Sequence, residues 1–264
     1  MSIHETALVP ASVVLGKDAR IGPFSLVEEG VVVGEQVTLH SHVVVHRGTV
    51  LGKAVELYPQ AVVGGDPQDL GFDRKLESGV VLGAETILRE GVTIHRSTQP
   101  GHNTFIGARA YLMAGSHVGH DCQVGDGVIL ANDALLAGFV TLGENTFVGG
   151  GAAFHQFVRV GAGAMISGHA SITRDVPPYC MAAERDRLVG LNLVGLRRQG
   201  ASREEIRELK SLLAEFAANH QSFREGAAAR LEKEKWKPGT RAHTFVSFFQ
   251  ESRRGIMPVA RTAR

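Results

Sequence analysis

An aliphatic residue recurs at every sixth position along the first quarter of the chain. The series runs through Ile3, Val9, Leu15, Ile21, Val27, Val33, Leu39, Val45, Leu51, Leu57 and Val63. A period of six does not suit an α-helix, in which residues six apart lie on different faces, and a flat strand repeats every two residues. The period predicts short strands joined by corners, with three hexads closing each triangular coil and the aliphatic side chains pointing inward.

Two interruptions divide this series. Its phase slips by one residue across 64–81, a second break covers about 96–104, and from Ile106 the series continues to Ile172. Glycine often follows the aliphatic residue, as in Leu15-Gly16, and we expect it to permit the tight corner. Coils about 4.8 Å apart would give about nine coils and a prism roughly 40 Å long. The usual crossover preference favours a right-handed coil.

The pattern changes to helical spacing after about residue 190. The segment Ser202-Arg203-Glu204-Glu205 is typical of a capping box. The apolar residues that follow at helical spacing are Ile206, Leu209, Leu212, Leu213 and Phe216. Further helices are predicted over 220–235 and 240–253, separated by Lys237-Pro238-Gly239. We therefore expect a β-helix over 1–190 and a small helical domain over 191–264.

Composition narrows the class of protein. Aromatic residues make up only 6% and the formal net charge is +1, so no overall field favours nucleic acid or a membrane surface. The chain shows neither a signal-peptide pattern nor an apolar run long enough for a membrane span. Cys122 and Cys180 are too few for a disulfide framework. We expect a cytoplasmic protein without an integral membrane segment and without a nucleic-acid partner.

The coil geometry brings a few polar residues together. Residues three hexads apart stack on adjacent coils, so His120, Gly138 and Gln156 form one column, with His117 and His155 beside it. A neutral His120 imidazole could take a proton from a hydroxyl or an amine. The Gly138 N–H, if unpaired at its corner, could stabilise an oxyanion. The neighbouring residue 121, an aspartate, could orient the imidazole or be only a surface turn residue.

Two other features are candidates for binding. The first insertion leaves the rigid prism, so its Asp69 could reach a site or could lie in solvent. Arginines near the domain junction have few acidic neighbours in sequence, and they could bind phosphates or an acidic carrier, or form a solvated helix face. These arginines are Arg159, Arg174, Arg185, Arg187, Arg197 and Arg198.

Seven segments, spread over nearly the whole chain, carry a more specific pattern. They are Gly65-Asp66-Pro67-Gln68-Asp69-Leu70, Val92-Thr93-Ile94-His95-Arg96, His117-Val118-Gly119-His120-Asp121-Cys122, Leu130-Ala131-Asn132, His155-Gln156-Phe157, Asp175-Val176-Pro177-Pro178-Tyr179 and Gly195-Leu196-Arg197-Arg198. Together they closely resemble the acyl-(acyl-carrier-protein)–UDP-N-acetylglucosamine O-acyltransferases, which catalyse the first step of lipid A synthesis.

The resemblance implies a left-handed parallel β-helix, a homotrimer with active sites in clefts between neighbouring prisms, and no cofactor or metal. It implies acyl carrier protein as the donor of a 3-hydroxyacyl chain and UDP-N-acetylglucosamine as the acceptor. His120 would be the general base that deprotonates the sugar 3-hydroxyl, and Gly138 the oxyanion donor, with Asp121 beside them. The substrate-binding residues that it implies are Gln68, Asp69, His95, His117, His155, Gln156, Gly168, Asn192 and Arg198.

Several of these residues have distinct implied roles. Asp69 would contact the sugar from the insertion loop, and Gly168 falls at the family's acyl-length ruler. Asn192 and Arg198 would hold the nucleotide or the phosphopantetheine region. Because the ruler also involves a neighbouring subunit, the acyl-chain length stays open.

Three positions depart from the family pattern. Phe139 stands where the family usually has a histidine, and Val194 where it usually has an acidic residue. Gly71 stands where a lysine is usual, with Arg74 and Lys75 slightly later as possible substitutes. All three positions would touch the nucleotide-sugar, so the identity of the acceptor stays open.

Three alternatives to the O-acyltransferase follow. One is an N-acyltransferase on the UDP 3-amino-sugar analogue, which would use the same His120. Another is a diverged, non-catalytic trimer. A remote one is a zinc carbonic anhydrase-like hydratase, which needs two histidines five apart, whereas His117 and His120 are three apart.

Overall fold

The computed structural model describes residues 1–260, in which short parallel strands coil into a three-sided prism. Strands are numbered in chain order. Sheet I contains β1 Ser2–Ile3, β3 Arg20–Ile21, β6 Thr38–Leu39, β9 Glu56–Leu57, β12 Ile87–Leu88, β15 Tyr111–Leu112, β18 Ile129–Leu130, β21 Phe147–Val148, β24 Met165–Ile166, β26 Cys180–Ala183 and β27 Arg187–Leu191.

The other two faces complete each coil. Sheet II contains β4 Leu26–Val27, β7 Val44–Val45, β10 Val62–Gly65, β13 Thr93–His95, β16 His117–Val118, β19 Leu135–Leu136, β22 Ala153–Phe154 and β25 Ser171–Ile172. Sheet III contains β2 Val14–Leu15, β5 Val32–Val33, β8 Thr49–Leu51, β11 Gly79–Leu82, β14 Asn103–Ile106, β17 Gln123–Val124, β20 Thr141–Leu142 and β23 Arg159–Val160. The chain visits the sheets in the order I, II, III, so the prism has three edges: I–II, II–III and III–I.

The hexad series is the core of this prism. Its members are almost fully buried from Ile21 onward, as Leu57, Val118 and Leu136 illustrate. The three members before Ile21 are more exposed, most of all Ile3 at 45%, because they lie in the first coil, which has a neighbour on one side only. The inward direction predicted from the sequence is therefore confirmed for the stacked coils.

Strand register explains both interruptions of the series. Regular partners lie three hexads apart, such as Val118 and Leu136. Val62 instead pairs with Thr93, so the first insertion lengthens that spacing by two hexads plus the one-residue slip. Thr93 pairs with His117, so the second insertion lengthens the regular spacing by one whole hexad and keeps the phase.

The glycine that follows the inward residue does not make the corner, and this prediction was wrong. The left-handed backbone lies three residues after the inward residue and is often not glycine, as at Asp121 (φ 61°) and Phe139 (φ 63°). At Gly119 an added Cβ would lie 2.8 Å from backbone atoms of Ala137 and Gly138 on the next coil. Glycine at that position therefore permits the close approach of two coils rather than the turn itself.

The helical domain follows β27. Its elements are α1 Leu193–Arg198, α2 Arg203–Ala218, α3 His220–Glu225, α4 Ala227–Glu234, α5 Arg241–Ser247 and a 3₁₀ turn Phe248–Gln250. The capping box of α2 is confirmed, because the Glu205 N–H donates to Ser202 Oγ and the Ser202 N–H donates to the Glu205 carboxylate. The helix predicted over 220–235 is broken at Gly226, where α3 ends and α4 begins. The helical structure predicted over 240–253 ends at Gln250, and residues 251–253 are not helical.

The end of the described chain joins the two domains. Ile256 forms a parallel bridge with the buried Asp175, and Val259 forms one with Leu188 of β27. The helical domain is thereby tied back to the last coil of the prism. Within residues 1–260, the helices are too short or too polar to cross a membrane.

Candidate active site

The predicted column of polar residues is present at the II–III edge. His120, Gly138 and Gln156 each follow a sheet II strand by two residues, and the register of β16, β19 and β22 stacks them on successive coils. His117 lies in β16 and faces outward beside the column. His155, directly after β22, is exposed, as is Gln156. The coil register alone brings these five residues to one edge.

His120 lies directly against the backbone of Gly138. A Cβ added at Gly138 would be 2.4 Å from Cε1 and 2.5 Å from Nε2 of the imidazole. Such distances are far inside ordinary van der Waals contact, so only glycine leaves room for the ring in this position. The close approach puts Nε2, the nitrogen that would act as a base, beside the Gly138 backbone.

The N–H of Gly138 has no backbone acceptor among residues 1–260. This is a property of the corner, since Pro23 and Pro59, which have no N–H, occupy the same corner position elsewhere. What distinguishes Gly138 is that the His120 imidazole lies against this corner. The arrangement pairs a free backbone donor with a histidine nitrogen, as stabilisation of an oxyanion next to a general base requires.

Asp121 is a buried partner of His120 and not a surface turn residue. Its Oδ2 lies 2.8 Å from His120 Nδ1, and the aspartate side chain is only 5% exposed. The Thr98 N–H and hydroxyl donate to the same oxygen at 3.0 and 2.6 Å, and the Ser97 hydroxyl donates to Oδ1. The Asp121 N–H donates to Thr104 Oγ1 at 2.8 Å, which fixes the backbone of the turn.

These hydrogen bonds set the charge of the pair. Burial acts to raise the pKa of Asp121, but the hydrogen bonds from His120, Ser97 and Thr98 outweigh it and lower the pKa to about 2. Asp121 is therefore ionised at neutral pH, and its carboxylate accepts a hydrogen bond from the Nδ1–H of His120. The lone pair of His120 is then on Nε2, toward Gly138.

Two further histidines extend the site along sheet II. The rings of His95 and His117 meet edge to face with centroids 4.9 Å apart, and Thr93 Oγ1 lies 2.7 Å from His117 Nδ1. Burial, with the nearby His117 and His120, lowers the pKa of His95 to about 4. Burial and His120 also lower the pKa of His117. Both rings are consequently neutral hydrogen-bonding groups at neutral pH.

The loop 66–78 carries Gln68 and Asp69, and both side chains are exposed. Asp69 Oδ1 accepts the Gly71 N–H at 2.9 Å, which closes a local turn. Within residues 1–260, Asp69 makes no hydrogen bond to the histidines of the edge. The loop itself is anchored by Arg96, a buried residue that the sequence reasoning did not single out.

Comparison with known proteins decides the family. A family model described as "Udp N-acetylglucosamine O-acyltransferase; Domain 2" matches residues 175–257, and one for six bacterial transferase hexapeptide repeats matches residues 12–47 and 103–138. An acyl-(acyl-carrier-protein)–UDP-N-acetylglucosamine O-acyltransferase of Anaeromyxobacter dehalogenans is 38% identical over 257 residues, covering 97% of this chain and 99% of the relative. One of Paracoccus denitrificans is 44% identical over 179 residues, or 67% and 68% of the two chains.

The chain belongs to the acyl-(acyl-carrier-protein)–UDP-N-acetylglucosamine O-acyltransferase family. Solved structures agree with this assignment. The UDP-N-acetylglucosamine acyltransferase of Francisella novicida superposes with a TM-score of 0.89 at 32% identity, covering 97% of this chain and 94% of that one. The Campylobacter jejuni enzyme gives 0.88 at 34% identity, covering 98% and 100%. The predicted fold class, a parallel β-helix with a small helical domain, is confirmed, and the family resemblance implies the left-handed coil against the general crossover preference.

Three residues that the resemblance implicates lie on other edges of the prism. Gly168 follows β24 and is exposed on the I–II edge. Asn192 Nδ2 donates to Gly163 O at 3.0 Å on the III–I edge, and its Oδ1 accepts the Gly195 N–H as the N-cap of α1. Arg198 is exposed in the last turn of α1. None of these three residues shares the II–III edge with His120.

One of the three positions that depart from the family pattern lies against His120. Phe139 meets the His120 ring edge-on at a centroid distance of 5.2 Å and stacks on Phe157 at 4.6 Å. It therefore supplies a non-polar wall where a histidine would offer a hydrogen bond. Gly71 and Val194 are exposed.

The two cations that follow Gly71 are also exposed. Arg74 Nε lies 3.6 Å from a carboxylate oxygen of Asp66, and Lys75 is exposed beside it.

The arginines near the junction do not share one environment. Arg187 forms an ion pair with Glu184 at 2.7 Å, and the Arg159 guanidinium lies 4.5 Å from the centre of the Phe248 ring. Arg197 and Arg198 are exposed on α1. Across residues 1–260, no group of three histidine, cysteine or acidic side chains is arranged to hold a metal ion.

Proposed function

We propose that this protein transfers a 3-hydroxyacyl chain from acyl carrier protein to the 3-hydroxyl of UDP-N-acetylglucosamine, the first step of lipid A synthesis. The observation that carries the proposal is the position of His120, whose Nδ1 is tied to an ionised Asp121 while its ring lies on Gly138. The relative from Anaeromyxobacter dehalogenans, similar over 97% of this chain, supports the same reaction.

The reaction follows from the contacts of these groups. His120 Nε2 takes the proton of the sugar 3-hydroxyl, and the oxygen attacks the thioester carbonyl of the acyl donor. The Gly138 N–H donates to the tetrahedral oxyanion. Collapse breaks the carbon–sulfur bond, and the departing thiolate takes the proton from the His120 imidazolium. Asp121 stays ionised and stabilises that imidazolium throughout.

We propose that the acceptor is held by residues on both sides of the base. The neutral His95 and His117 lie beside His120. His155 and Gln156 lie farther along the same edge, and Gln68 and Asp69 lie on the loop 66–78. Asn192, Arg198 and Gly168 would come from other subunits of a homotrimer, because they lie on other edges of the prism. Sheet III presents an exposed apolar stripe for such an assembly, formed by Val14, Val32, Val50 and Phe105. The cytoplasmic location stays a prediction.

The direct test is a transfer assay. The protein is incubated with 3-hydroxyacyl carrier protein and either UDP-N-acetylglucosamine or its 3-amino analogue, and the products are weighed by mass spectrometry. We expect the ester, which mild alkali cleaves, and no product from His120→Ala. Absence of product with either sugar would refute the proposal, and unchanged activity of His120→Ala would favour a different base.

The second candidate is N-acylation of the 3-amino sugar. The observation in its favour is that Phe139, Gly71 and Val194 alter the positions expected to touch the acceptor. An alkali-stable amide as the preferred product would establish it.

Shared sites can be tested separately. Mixing His120→Ala with Arg198→Ala subunits should restore activity to a fraction of the trimers if one site draws on two chains. If the mixed subunits recovered no transfer activity, the shared-site arrangement would be contradicted.

A further inference from the structure

The two excursions from the prism, residues 66–78 and 96–102, form one hydrogen-bonded unit. The Ser78 hydroxyl donates to Ser97 O at 2.6 Å, and the Gly101 N–H donates to Glu77 O at 2.8 Å. We call these two segments the insertion unit. It joins the loop that carries Asp69 to a segment that adjoins the base.

Arg96 is the centre of this unit. Its side chain is only 2% exposed, although it carries a charge. Nε donates to Asp66 Oδ1 at 3.0 Å, Nη1 to Leu76 O at 2.6 Å and Nη2 to Arg74 O at 3.0 Å, and the guanidinium lies 4.8 Å from the centre of the Phe72 ring. One planar group thus contacts the start, the middle and the end of the loop. A lysine could not reproduce this fork.

The next two residues hold the other half of the site. Ser97 and Thr98 supply three hydrogen bonds to the Asp121 carboxylate, which in turn orients His120. Ser97 is fully buried, so its hydroxyl cannot exchange this partner freely for water. Arg96, Ser97 and Thr98 are consecutive, and neighbouring Cα atoms are only about 3.8 Å apart. We therefore expect a displacement of the Arg96 backbone to shift Ser97 and Thr98 as well.

We propose that Arg96, Ser97 and Thr98 are positioning residues that keep the acceptor loop in register with the general base. Arg96 fixes the loop that presents Gln68 and Asp69, and Ser97 and Thr98 fix Asp121. This inference rests on the proposed acyl transfer, since the loop is taken to hold the acceptor. The second insertion then connects the loop that carries Gln68 and Asp69 to the Asp121–His120 pair and holds both in position.

Arg96→Lys tests the loop half. Lysine would leave acceptors of the buried guanidinium unpaired and loosen the loop, so we expect KM for the nucleotide-sugar to rise about tenfold or more, with KM for acyl carrier protein unchanged. In the unliganded protein, trypsin should cleave faster after the exposed Arg74 and Lys75. Arg109→Lys is the matched control, because Arg109 forms only an exposed pair with Asp126.

Asp66→Asn is the second variant should Arg96→Lys fail to fold. Asp66 is exposed, and the change removes its charge while keeping an oxygen that can accept from Arg96. We expect the same selective rise in KM, by a smaller factor.

The double variant Ser97→Ala/Thr98→Val tests the base half. It removes both hydroxyl donors from Asp121, so the carboxylate becomes more basic and stabilises the His120 imidazolium more strongly. The acidic limb of the kcat/KM profile and the NMR titration of His120 in the unliganded protein should both move to higher pH. Thr98→Ser, which keeps the donor, should leave both in place.

The outcomes separate clearly. A lowered thermal midpoint without a change in KM or in trypsin cleavage would mean that Arg96 is only structural. An unmoved His120 titration in Ser97→Ala/Thr98→Val would remove the base half of the proposal. If the wild-type protein acylated neither sugar, the proposed function would fail, whereas proteolysis and titration would still decide the positioning.

Discussion

Replacing Gly138 by alanine adds one methyl group at the point where His120 meets the backbone. The new Cβ would lie 2.4 Å from His120 Cε1, whereas carbon atoms in contact are normally about 3.5–4.0 Å apart. The imidazole must therefore move by about 1 Å or more. Gly138 is not among the glycines with a positive φ, so the backbone itself accepts alanine. The steric overlap is therefore relieved by a displacement of the His120 ring rather than by a change of the backbone.

A displacement of about 1 Å at a reacting group can cost about 10²-fold in rate. We expect Gly138→Ala to lower kcat about 10²-fold in a single-turnover transfer assay, while its N–H remains able to donate. A wild-type rate in this variant would refute the close contact between the ring and the backbone.

Two controls isolate the cause. In a His120→Ala background the methyl group has nothing to displace, so the loss of thermal stability caused by Gly138→Ala should disappear. Ala162 occupies the same corner position on the III–I edge, which demonstrates that such a corner accepts a methyl group. A stability loss that persists without the imidazole would place the strain in the coil instead.

Three further variants have defined outcomes. Asp121→Asn removes the charge that holds Nδ1–H of His120, so kcat should fall by about 10²–10⁴ with little change in KM; retention of more than half of kcat would contradict the orienting role. The fold lowers the pKa of His95 to about 4 from an ordinary value of about 6.5 and so opposes protonation of its ring. The contribution of the neutral ring to the free energy of unfolding is therefore full above pH 6.5 and is lost as pH falls toward 4. This loss is about 1–2 kcal/mol once solvent screening of the partly exposed ring is allowed for. The free energy of unfolding of His95→Gln, measured in urea, should change less between pH 4 and 7 than that of the wild type. An unchanged pH dependence would exclude His95 as the source of this loss of stability. Ser202→Ala removes the cap of α2 and should cost about 1 kcal/mol in the same urea assay, whereas an unaltered midpoint would mean that the cap is replaced by water.

The sequence determined the prism and the column of the site. A hexad period specifies which side chains are buried, and a coil of three hexads places His120 over Gly138 by register alone. The one-residue slip also marked the first insertion, because only a length that is not a multiple of six shifts the phase. Local sterics and a repeated ladder enforce these features at every coil.

Only the tertiary structure decided what holds the site. Asp121 could have been a surface turn residue, and its partners Ser97 and Thr98 come from an insertion whose path no period describes. Arg96 likewise binds backbone carbonyls far from it in sequence, at Leu76 and Arg74, and these contacts depend on how two aperiodic segments fold over one another. Regular repeats can be extrapolated along the chain because each coil meets the same neighbours, whereas the insertion unit forms through contacts that occur once.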